Sequence, residues 1–277
     1  MISLQNSPDL SISHEKAYQR IWDWLHDRCC IFYQDNKKQL LIQRMQGVCV
    51  RHGIPDLETL ADILESGRNR DITLAVMHAA TTNHTYFFRE PQVLDFFLDV
   101  ILPGLPKSGG HIWSAASSTG DEAYTLAIMA TQIYGRDWVE RNLVILGTDL
   151  SNVVIAHAEA GIYSECHLDQ MPGEILERYF DPVGMAQYRV RDDLRSICIF
   201  RLFNLKSIPY PFHIAFHAVF CRNVLYYFDR VHQQAIVEAI YDITEPGGWL
   251  LTSVTESLRD LDTRWIPIRC GIYRKAG

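Results

Sequence analysis

The side chains that could do chemistry in this chain fall into four short motifs. In chain order, these motifs are Asn83-His-Thr-Tyr-Phe-Phe-Arg89, Trp113-Ser-Ala-Ala-Ser-Ser-Thr-Gly-Asp-Glu122, Leu146-Gly-Thr-Asp149 and Phe220-Cys-Arg-Asn-Val-Leu-Tyr-Tyr-Phe228. The second and third motifs have the form of a strand, a turn of small residues, a helix and a second strand that ends in an acid. This order is typical of α/β folds that bind a nucleoside.

The turn of small residues, Ser117-Ser-Thr-Gly120, indicates which kind of nucleoside. Small side chains let the backbone approach a ligand closely, and the N–H groups at a helix start favour anionic groups or lone pairs. However, Ala115 and Ala116 stand where the glycines of a dinucleotide-binding fingerprint would be, so a pyrophosphate site is disfavoured. Glu122 adds negative charge where a diphosphate would lie. The turn therefore favours a cationic ligand.

The acid that ends the second strand, Asp149, could accept hydrogen bonds from both hydroxyls of a ribose. The alternative is a helix-capping role, because Asp149-Leu-Ser151 leads into a helix. Together with Glu122 and the small-residue turn, Asp149 predicts a nucleoside that carries a sulfonium and no phosphate, which is S-adenosylmethionine. The segment Glu245-Pro-Gly-Gly-Trp-Leu-Leu251, interpreted as a helix stop and turn before an apolar strand, supports the same class.

These motifs must be positioned by a sheet, and the hydrophobic pattern after Gly110 predicts one. Predicted strands lie at 111–116, 143–148, 197–203, 218–221 and 249–254, and predicted helices at 121–134, 152–159 and 230–243. Strands that alternate with helices imply a mostly parallel α/β sheet with right-handed crossovers. Near the chain end, Trp265-Ile-Pro-Ile268 and Gly271-Ile-Tyr-Arg274 predict an antiparallel edge strand or hairpin that closes this sheet.

Two regions fall outside this alternation. From residue 15 to about residue 78, apolar residues recur at three- and four-residue spacing, which predicts a small α-helical domain with these stripes as its core. The stripes are formed by Ile21, Trp24, Leu25, Leu40, Leu41, Met45, Val48, Leu57, Leu60, Ile63 and Leu64. Between Gly161 and Arg195 the alternation breaks, and Gln187-Tyr-Arg-Val-Arg191 alternates like a strand, so a small insertion is predicted there.

Composition excludes some classes of function. The chain has 277 residues and a net charge of −7, which argues against a nucleic-acid partner held mainly by phosphate contacts. The longest nearly uncharged stretch, about 112–130, contains Asp121 and Glu122, so no membrane span is predicted. The first residues include Asp9 and Glu15 and do not resemble a signal peptide, which makes the cytoplasm the expected location.

Cysteine and histidine spacing gives no metal site. The seven cysteines show no C-x-x-C spacing, which favours buried reduced thiols over a disulfide framework or a zinc site. His213 and His217 have the spacing of a helical metal site, but the prolines before them and the apolar run after them favour a loop that leads into a strand. Cys221 lies in a predicted buried strand, so packing is favoured over a nucleophilic role.

The four motifs resemble those of the chemoreceptor glutamate methyltransferases, the CheR family. The similar segments are Asn83 to Glu90, Ile112 to Tyr124, Gly147 to Ser151 and Phe220 to Phe228, with Lys38 to Arg44 and Gly53 in the helical part. The resemblance runs from about residue 30 to the end. It implies a Rossmann-like class I methyltransferase fold, with a helical domain over 14–80, a cofactor-binding domain over 81–277 and an inserted three-stranded β-subdomain over about 162–196.

The resemblance also implies which residues form the site. Those that would line the S-adenosylmethionine cleft are Asn83, Thr85, Arg89, Glu122, Asp149, Asn204, Leu205, Asn223 and Val224. Among them, Asp149 would hold the ribose hydroxyls and Glu122 would face the methionine or ribose end. The chain departs from the family pattern at His84 and at Asp121, where the family usually has glutamate. Both departures concern the affinity for the cofactor, because the matched contact residues remain.

The implied reaction is attack of a receptor glutamate oxygen on the sulfonium methyl, which gives a γ-glutamyl methyl ester and S-adenosylhomocysteine. A carboxyl group with a pKa of about 4.3 is ionised at neutral pH, so no general base is required. Arg89 could orient this carboxylate, or it could instead pair with Glu90 or with the cofactor carboxylate. Tyr227 could donate a second hydrogen bond, or it could belong to the core as part of an aromatic run.

The implied partner is the cytoplasmic helical region of chemoreceptors, bound by a monomer that neither binds nucleic acid nor inserts into a membrane. Basic positions in the helical part could meet an acidic receptor surface, or they could form a solvated helix face. These positions are Lys37, Lys38, Arg44, Arg51, Arg68 and Arg70. A non-catalytic cofactor-binding sensor or scaffold is the alternative function, and a nicotinamide oxidoreductase is disfavoured because the first turn lacks its glycines.

Overall fold

The computed structural model describes residues 8–29, 38–80, 85–169 and 171–277. Its contacts divide the chain into two compact units. The helical unit lies within Met1–Thr82 and also includes Tyr227–Asp229, and the sheet unit comprises Asn83–Tyr226 and Arg230–Gly277. The sequence predictions for Lys37, Asn83 and His84 lie outside the described residues.

The helical unit consists, in its described part, of the helices α1 (Pro8–Cys29), α2 (Lys38–His52), α3 (Leu57–Ser66) and α4 (Arg70–Ala80). The ends of α3 follow from local chemistry. The Asp56 carboxylate accepts a hydrogen bond from the Thr59 backbone N–H at 2.8 Å, and Gly67 ends the helix in the left-handed conformation with φ 64°. Across the unit, Trp24 Nε1 donates to the Leu64 carbonyl at 3.0 Å.

The predicted apolar stripes are buried at most of their positions. The buried members are Ile21, Trp24, Leu25, Leu41, Met45, Val48, Leu57, Leu60 and Leu64. Leu40 is 39% exposed, and the prediction of a core role is wrong there. The reason is geometric, because successive helix positions point about 100° apart and Leu41 already faces the core.

The sheet unit contains ten strands among its described residues. They are β1 (Gly110–Ala115), β2 (Leu143–Asp149), β3 (Ile162–Ser164), β4 (Phe180–Gly184), β5 (Gln187–Val190), β6 (Cys198–Leu202), β7 (Phe216–Cys221), β8 (Thr244–Leu251), β9 (Ile266–Arg269) and β10 (Ile272–Arg274). Seven form one sheet in the order β6-β2-β1-β7-β8-β10-β9. The first five pair in parallel and β10 pairs antiparallel with both β8 and β9. The predicted fold class is confirmed.

The helices of the sheet unit are α5 (Pro91–Phe96), α6 (Asp121–Tyr134), α7 (Arg136–Asn142), α8 (Asn152–Ala160), α9 (Gly173–Tyr179), α10 (Asp192–Ile197) and α11 (Arg230–Asp242). A π-helical turn, Phe97–Ile101, continues α5, and 3₁₀ turns lie at Glu165–His167 and Leu225–Tyr227. α6 has the predicted bounds and is buried at every position from Ala123 to Thr131. Its continuous apolar sequence follows from its position, because it contacts α7 and α10 as well as β2 and β6.

The strand before the chain end differs from the prediction. β8 begins at Thr244, so Glu245-Pro-Gly-Gly248, predicted as a helix stop and turn, lies within a strand. The β7–β8 register shifts between Phe216 and Ala218, which makes this segment an irregularity in the ladder. Glycine permits it, because Gly247 has φ 75° and a Cβ on Gly248 would lie 2.8 Å from the Glu245 carbonyl oxygen.

The inserted β-subdomain is a separate antiparallel sheet in the order β3-β5-β4. It lies between α8 and β6 in the chain, as predicted. Hydrogen bonds and ring contacts join it to the rest of the sheet unit, and three of them show how. Tyr163 Oη donates to the Thr119 carbonyl at 2.6 Å, His167 Nε2 lies 2.5 Å from Asp121 Oδ1, and the rings of Phe87 and Phe180 meet at 5.5 Å.

The free thiols are only partly buried. Cys49, Cys198 and Cys221 are buried, whereas Cys166 and Cys270 are exposed, so the predicted burial is wrong for these two. Both exposed thiols lie in turns rather than in apolar runs of the sheet, Cys166 in the 3₁₀ turn and Cys270 between β9 and β10. Among the helices that the structure describes, none combines the length and the apolar character needed to cross a membrane.

Candidate active site

Two neighbouring strands define where a ligand can bind at the edge of the large sheet. β1 and β7 pair in parallel, with Ala115 at the end of β1 opposite Cys221 at the end of β7. From β1 the sheet continues to β2 and β6, and from β7 it continues to β8 on the other side. The carboxyl ends of β1 and β7 therefore form a switch point, where diverging loops leave a crevice.

The turn after β1 is the predicted small-residue turn, and its backbone is strained. Ala116 and Ser118 have φ values of 67° and 49°, and Gly120 has φ 92°. A Cβ on Gly120 would lie 2.9 Å from the Ala158 Cβ, so the chain needs glycine where α6 begins close to α8. Side chains at positive φ are uncommon, and their accumulation in one turn points to a functional constraint.

Asp149 lies at the end of β2 and joins this turn to the start of α8. Its Oδ2 accepts from the Ser118 N–H and its Oδ1 from the Ser151 N–H, both at 3.0 Å. Burial raises the pKa of Asp149 above its ordinary value, although these backbone hydrogen bonds act in the opposite direction. The helix-capping alternative for Asp149 is wrong, because the N-cap of α8 is Ser151 and, among the described residues, no side chain caps this helix. Each Asp149 oxygen keeps a second lone pair for a ribose hydroxyl.

Three buried hydroxyls near these strand ends are not satisfied by the protein. Ser117 Oγ, Ser118 Oγ and Ser151 Oγ have no hydrogen-bond partner within the part of the chain that the structure describes. The three residues are at most 8% exposed. Since buried polar groups are nearly always hydrogen-bonded, this group of hydroxyls fits a polar ligand over the turn.

Arg222, directly after β7, is the centre of a buried charged group. Its Nη1 donates to Glu122 Oε2 at 2.8 Å, and its Nη2 donates to the Arg89 carbonyl at 2.6 Å and lies 3.4 Å from Glu90 Oε2. The Arg222 side chain is 3% exposed and those of Glu90 and Glu122 are each 15% exposed. The other oxygen of Glu122 accepts from Ser114 Oγ at 2.6 Å.

Glu90 joins this group to the loops after β7 and β8. Its Oε1 accepts from Ser253 Oγ at 2.9 Å and from Asn223 Nδ2 at 3.2 Å, and its Oε2 accepts from the Val254 N–H at 3.3 Å. Burial acts to raise the pKa of Glu90, but the charge of Arg222 and these hydrogen bonds outweigh it and place the pKa below its usual range. Glu90 is therefore ionised at neutral pH.

A third glutamate, Glu256, lies in the loop after β8 and is buried, whereas Glu90 and Glu122 are half-buried. It is 6% exposed, and its Oε2 accepts from the Asn223 N–H at 2.7 Å and from the Ser253 N–H at 3.1 Å. We refer to Glu90, Glu122, Arg222 and Glu256 as the acidic cluster. Burial raises the pKa of Glu122 and of Glu256, against the hydrogen bonds that both receive.

The charge of the acidic cluster decides which ligand fits. The carboxylates of Glu90 and Glu122 pair with the Arg222 guanidinium, and that of Glu256 binds backbone N–H groups only. The buried Asp149 adds a further carboxylate at the end of β2. A diphosphate would add negative charge to this excess, whereas a sulfonium would reduce it. Together with the unsatisfied hydroxyls of Ser117, Ser118 and Ser151, the residues present fit S-adenosylmethionine.

The segment that carries Thr85 and Arg89 runs along the same edge. The Phe88 N–H donates to Thr125 Oγ1 on α6 at 3.1 Å, and Thr85 is half-buried. Arg89 is 28% exposed, with its Nε 3.9 Å from Glu90 Oε1 and its guanidinium carbon 5.7 Å from the Tyr86 ring centroid. The pairing of Arg89 with Glu90, which was one alternative from the sequence, is present in the structure.

Backbone strain is concentrated at this edge of the sheet. Within the described residues, six positions other than glycine have positive φ, and five of them lie here: Phe88, Glu90, Ala116, Ser118 and Asn223. The sixth, Ala186, lies in the turn between β4 and β5 of the inserted subdomain. Strain of this kind persists only where the surroundings enforce it, and it gathers at functional sites.

The other predicted site residues occupy different places. Asn204 Oδ1 accepts from the Lys206 N–H at 2.9 Å, and the buried Leu205 accepts from Tyr210 Oη at 2.9 Å, both in the loop after β6. Val224 is half-buried beside Asn223. Tyr227 is half-buried at the end of the 3₁₀ turn and belongs by its contacts to the helical unit.

The positions of His213, His217 and Cys221 agree with the roles that the sequence favoured, a loop and strand for the histidines and packing for the cysteine. β7 begins at Phe216, so His213 lies in a loop and His217 in the strand, where its Nδ1 accepts from the His111 N–H at 3.1 Å. This confirms the predicted loop that leads into a strand. Burial raises the pKa of the Cys221 thiol well above its usual range, which opposes a nucleophilic thiolate.

Sequence reasoning did not assign roles to Arg222, Ser253 and Glu256, and it considered Glu90 only as a partner of Arg89. Arg222 lies within the fourth motif, directly after an apolar strand, and a charged residue in this position indicates a site at the strand end. Glu256 carries no such signal, because it follows β8 by several residues and is recognised only by the amides that it binds.

Known proteins resemble this chain along most of its length. The family model described as CheR methyltransferase, SAM binding domain, matches residues 83–273. Chemotaxis protein methyltransferase 1 of Vibrio cholerae is 30% identical over 260 residues, which cover 92% of this chain and 94% of that protein. Chemotaxis protein methyltransferase 1 of Pseudomonas aeruginosa is 31% identical over 261 residues, covering 91% of this chain and 94% of that protein. Among solved structures, DszA carbon methyltransferase has a TM-score of 0.38 and 16% identity, over 91% of this chain and 53% of that chain.

Proposed function

The chain belongs to the CheR methyltransferase family, and from this premise we propose that it methylates glutamate side chains of methyl-accepting chemoreceptors. Family membership and S-adenosylmethionine as the cofactor were predicted from the sequence and are confirmed by the match of residues 83–273 to the family's SAM-binding domain. The names of the relatives, chemotaxis protein methyltransferases, support a substrate in chemotaxis.

The observation that carries the proposal is the charge arrangement at the switch point of the sheet. The acidic cluster has more carboxylates than cations, which suits a sulfonium. The Arg89 guanidinium lies beside this cluster and is 28% exposed, so a substrate carboxylate can approach it from solvent. A cation-binding crevice next to an arginine is what methyl transfer to a carboxylate requires.

Methyl transfer to a carboxylate needs positioning rather than proton transfer. When bound, S-adenosylmethionine supplies an electrophilic methyl group, which a glutamate oxygen attacks as the carbon–sulfur bond breaks. Glutamate with a pKa of about 4.3 is already ionised at neutral pH, so no residue of the chain needs to act as a base. The residues of the site have to exclude water and hold the oxygen in line, at roughly 3 Å from the methyl carbon.

We propose that Arg89 orients the substrate carboxylate through its planar set of donors. Replacing Arg89 with alanine is expected to lower kcat about a hundredfold, the typical effect of removing a transition-state hydrogen-bond donor. The dissociation constant of S-adenosylmethionine, measured by calorimetry, should change much less. Arg141→Ala is the matched control, because this arginine of α7 is 73% exposed and pairs with Asp137. Equal loss of cofactor affinity and of kcat would instead make Arg89 a ligand of the cofactor.

We propose that Tyr227 donates a second hydrogen bond to the substrate carboxylate. Tyr227→Phe removes only the hydroxyl, so the expected result is a fall in kcat of about tenfold, the value of one hydrogen bond to a charged group. Tyr241→Phe on α11 is the control, because its ring packs on Trp265 with centroids 5.1 Å apart. Unchanged turnover in Tyr227→Phe would remove this residue from the mechanism.

We also propose how the chain meets its substrate. The domains would cover 14–80 and 81–277, with the inserted subdomain over about 162–196, and a monomer would act in the cytoplasm on the helical region of receptors. The exposed Arg51 and Arg68 suit an acidic receptor surface. In contrast, Lys38 pairs with Glu15, and Arg44 donates to the Ala80 carbonyl at 3.2 Å. Arg51→Glu combined with Arg68→Glu should raise KM for the receptor and leave cofactor affinity unchanged.

The decisive experiment incubates the protein with methyl-labelled S-adenosylmethionine and membranes that contain chemoreceptors. Label that is released by mild base would support glutamate esters, because N-methyl and O-alkyl products resist base. Label that is stable to base would refute the proposed substrate. Cofactor binding without any label transfer would favour the sensor or scaffold function.

A further inference from the structure

The loop after β7 is held by Glu256, the member of the acidic cluster that does not pair with Arg222. Glu256 accepts from the N–H groups of Asn223 and Ser253 through Oε2, and from the Tyr226 N–H through Oε1 at 3.4 Å. Asn223 and Tyr226 flank the start of the turn that Tyr227 ends. One side chain therefore binds the amides at both ends of residues 223–226, which we call the 223–226 turn.

The support of Glu256 is itself rigid. The loop after β8 closes on itself, because Thr252 Oγ1 donates to the Glu256 carbonyl at 2.7 Å and the Glu256 N–H donates to the Ser253 carbonyl at 2.9 Å. Thr252 and Ser253 are at most 1% exposed. A carboxylate on such a loop has little freedom to move away from the amides that it binds.

The partners of Glu256 are amides and not cations. Among the described residues, no lysine, arginine or histidine lies within ion-pair distance of it. An ionised carboxylate that binds several N–H groups has two accepting oxygens, whereas a carboxamide has one oxygen and presents N–H donors on its other side. Two accepting oxygens at Glu256 are therefore needed for the observed geometry.

Asn223 shows what this geometry achieves. Its φ of 57° is a strained conformation, in which the N–H points to Glu256 Oε2 while the side-chain Nδ2 donates to Glu90 Oε1 at 3.2 Å. Glu90 in turn lies 3.4 Å from Arg222 Nη2. The hydrogen bond from the Asn223 N–H to Glu256 thus offsets the strain of this backbone conformation, which directs the Asn223 side chain to Glu90.

On the basis of the proposed function, we propose that Glu256 is a positioning residue for methyl transfer. Its carboxylate holds the 223–226 turn so that Asn223 meets the acidic cluster and Tyr227 follows in a fixed register. Glu256 does not contact the substrate in this assignment. Its effect on turnover is transmitted through the turn.

The test compares Glu256→Gln and Glu256→Asp with the full-length wild type. In Glu256→Gln, we expect amide hydrogen exchange at residues 223 and 226 to accelerate about tenfold, the value of a hydrogen bond to a charged acceptor. Exchange in β1 and β2 should stay unchanged. With a receptor fragment as substrate, kcat should fall about tenfold while KM for the receptor stays within about twofold. Glu256→Asp should recover part of kcat, because it keeps the charge.

Glu238→Gln is the matched control. Glu238 also binds a loop, since its Oε1 accepts from the Arg264 N–H at 3.1 Å and from Thr263 Oγ1 at 2.7 Å, but it lies on α11 and outside the acidic cluster. This variant should leave both kcat and exchange in the 223–226 turn unchanged.

Three results would overturn the assignment. The first is unchanged amide exchange in the 223–226 turn. The second is faster exchange throughout the sheet, which would indicate a purely structural role. The third is faster exchange in the turn with unchanged kcat. Failure of the proposed function is recognised separately. If the wild type makes no glutamate ester, the proposed function is refuted, independently of the results for the Glu256 variants. In that case, local exchange together with a rise of at least about threefold in the cofactor dissociation constant would still show that Glu256 holds the turn.

Discussion

Each unit of the molecule has an arginine between several carboxylates, but the two arginines differ in their exposure to water. In the helical unit, Arg20 binds Asp62 and Glu65 at 2.6 Å, with its own side chain 31% exposed and those of its partners at least 50% exposed. In the sheet unit, Arg222 is 3% exposed and binds Glu122 at 2.8 Å. Water therefore screens the ion pairs of Arg20, whereas the ion pairs of Arg222 are shielded from water.

The difference in burial changes what each group contributes. Exposed ion pairs add at most about 1 kcal/mol, since water solvates both charges well when the pair opens. A buried pair has no such alternative, so removal of one partner leaves a charge that water cannot reach. The buried group of the sheet unit, with its excess of carboxylates, can interact strongly with a cationic ligand. The exposed group of the helical unit contributes only weakly to stability.

The largest expected effect comes from Arg222→Met, which removes the charge and keeps a long side chain. We expect the free energy of unfolding to fall by about 3–5 kcal/mol, because Glu90 and Glu122 lose their buried cation. Urea unfolding of the full chain, followed by circular dichroism, measures this change. Adding Glu90→Gln and Glu122→Gln should recover part of the loss, and a single variant that loses less than about 1 kcal/mol would contradict the comparison.

A second prediction compares one glycine of each unit, Gly147 in the sheet unit, where a Cβ would clash, and Gly47 in the helical unit, where it would not. A Cβ on Gly147 in β2 would lie 2.5 Å from Cδ1 of the buried Phe200 ring, so Gly147→Ala should lower the free energy of unfolding by about 1–3 kcal/mol. Gly47, within α2, has nothing within 4 Å of such an atom, and Gly47→Ala should stabilise the protein by about 0.5–1 kcal/mol. Thermal unfolding measures both, and shifts of the same sign would refute this difference.

A third prediction concerns the pair of Asp121 and His167, which is more exposed than the Arg222 pairs and less exposed than the Arg20 pairs. The Asp121 side chain is fully buried and that of His167 is 32% exposed, and their hydrogen bond raises the pKa of His167 above its usual value. A raised pKa gives stability that is fully present below about pH 6.5 and is lost as the pH rises through the folded-state pKa. The stability difference between wild type and His167→Gln should therefore shrink between pH 6 and pH 9, by about 1 kcal/mol or less.

His217 gives the opposite sign and serves as the control for this titration. Burial lowers its pKa, so its contribution is present above about pH 6.5 and is lost as the pH falls through the folded-state pKa. The difference between wild type and His217→Gln should therefore grow with pH. If both differences changed in the same direction, the assignment of the raised pKa to the Asp121 contact would be wrong.

How much the sequence predicts depends on the distance between the residues concerned. The small-residue turn, Glu122 and Asp149 lie within one strand, helix and strand, so hydrophobic periodicity alone predicts that they share one edge of a sheet. The bond between Arg222 and the Arg89 carbonyl joins residues 133 positions apart, and it depends on β1 and β7 being neighbours. Periodicity does not determine strand order, and the acidic cluster was therefore not predicted.

The smallest expected effect is that of Arg20→Met, the counterpart of Arg222→Met in the helical unit. The loss in the free energy of unfolding should be below about 1 kcal/mol, because Asp62 and Glu65 remain solvated when Arg20 is removed. It should decrease further between about 0.05 and 0.5 M salt, since salt screens exposed charges. The loss in Arg222→Met should hardly depend on salt. Urea unfolding at the two salt concentrations tests both, and a salt-independent loss in Arg20→Met would mean that burial does not distinguish the two arginines.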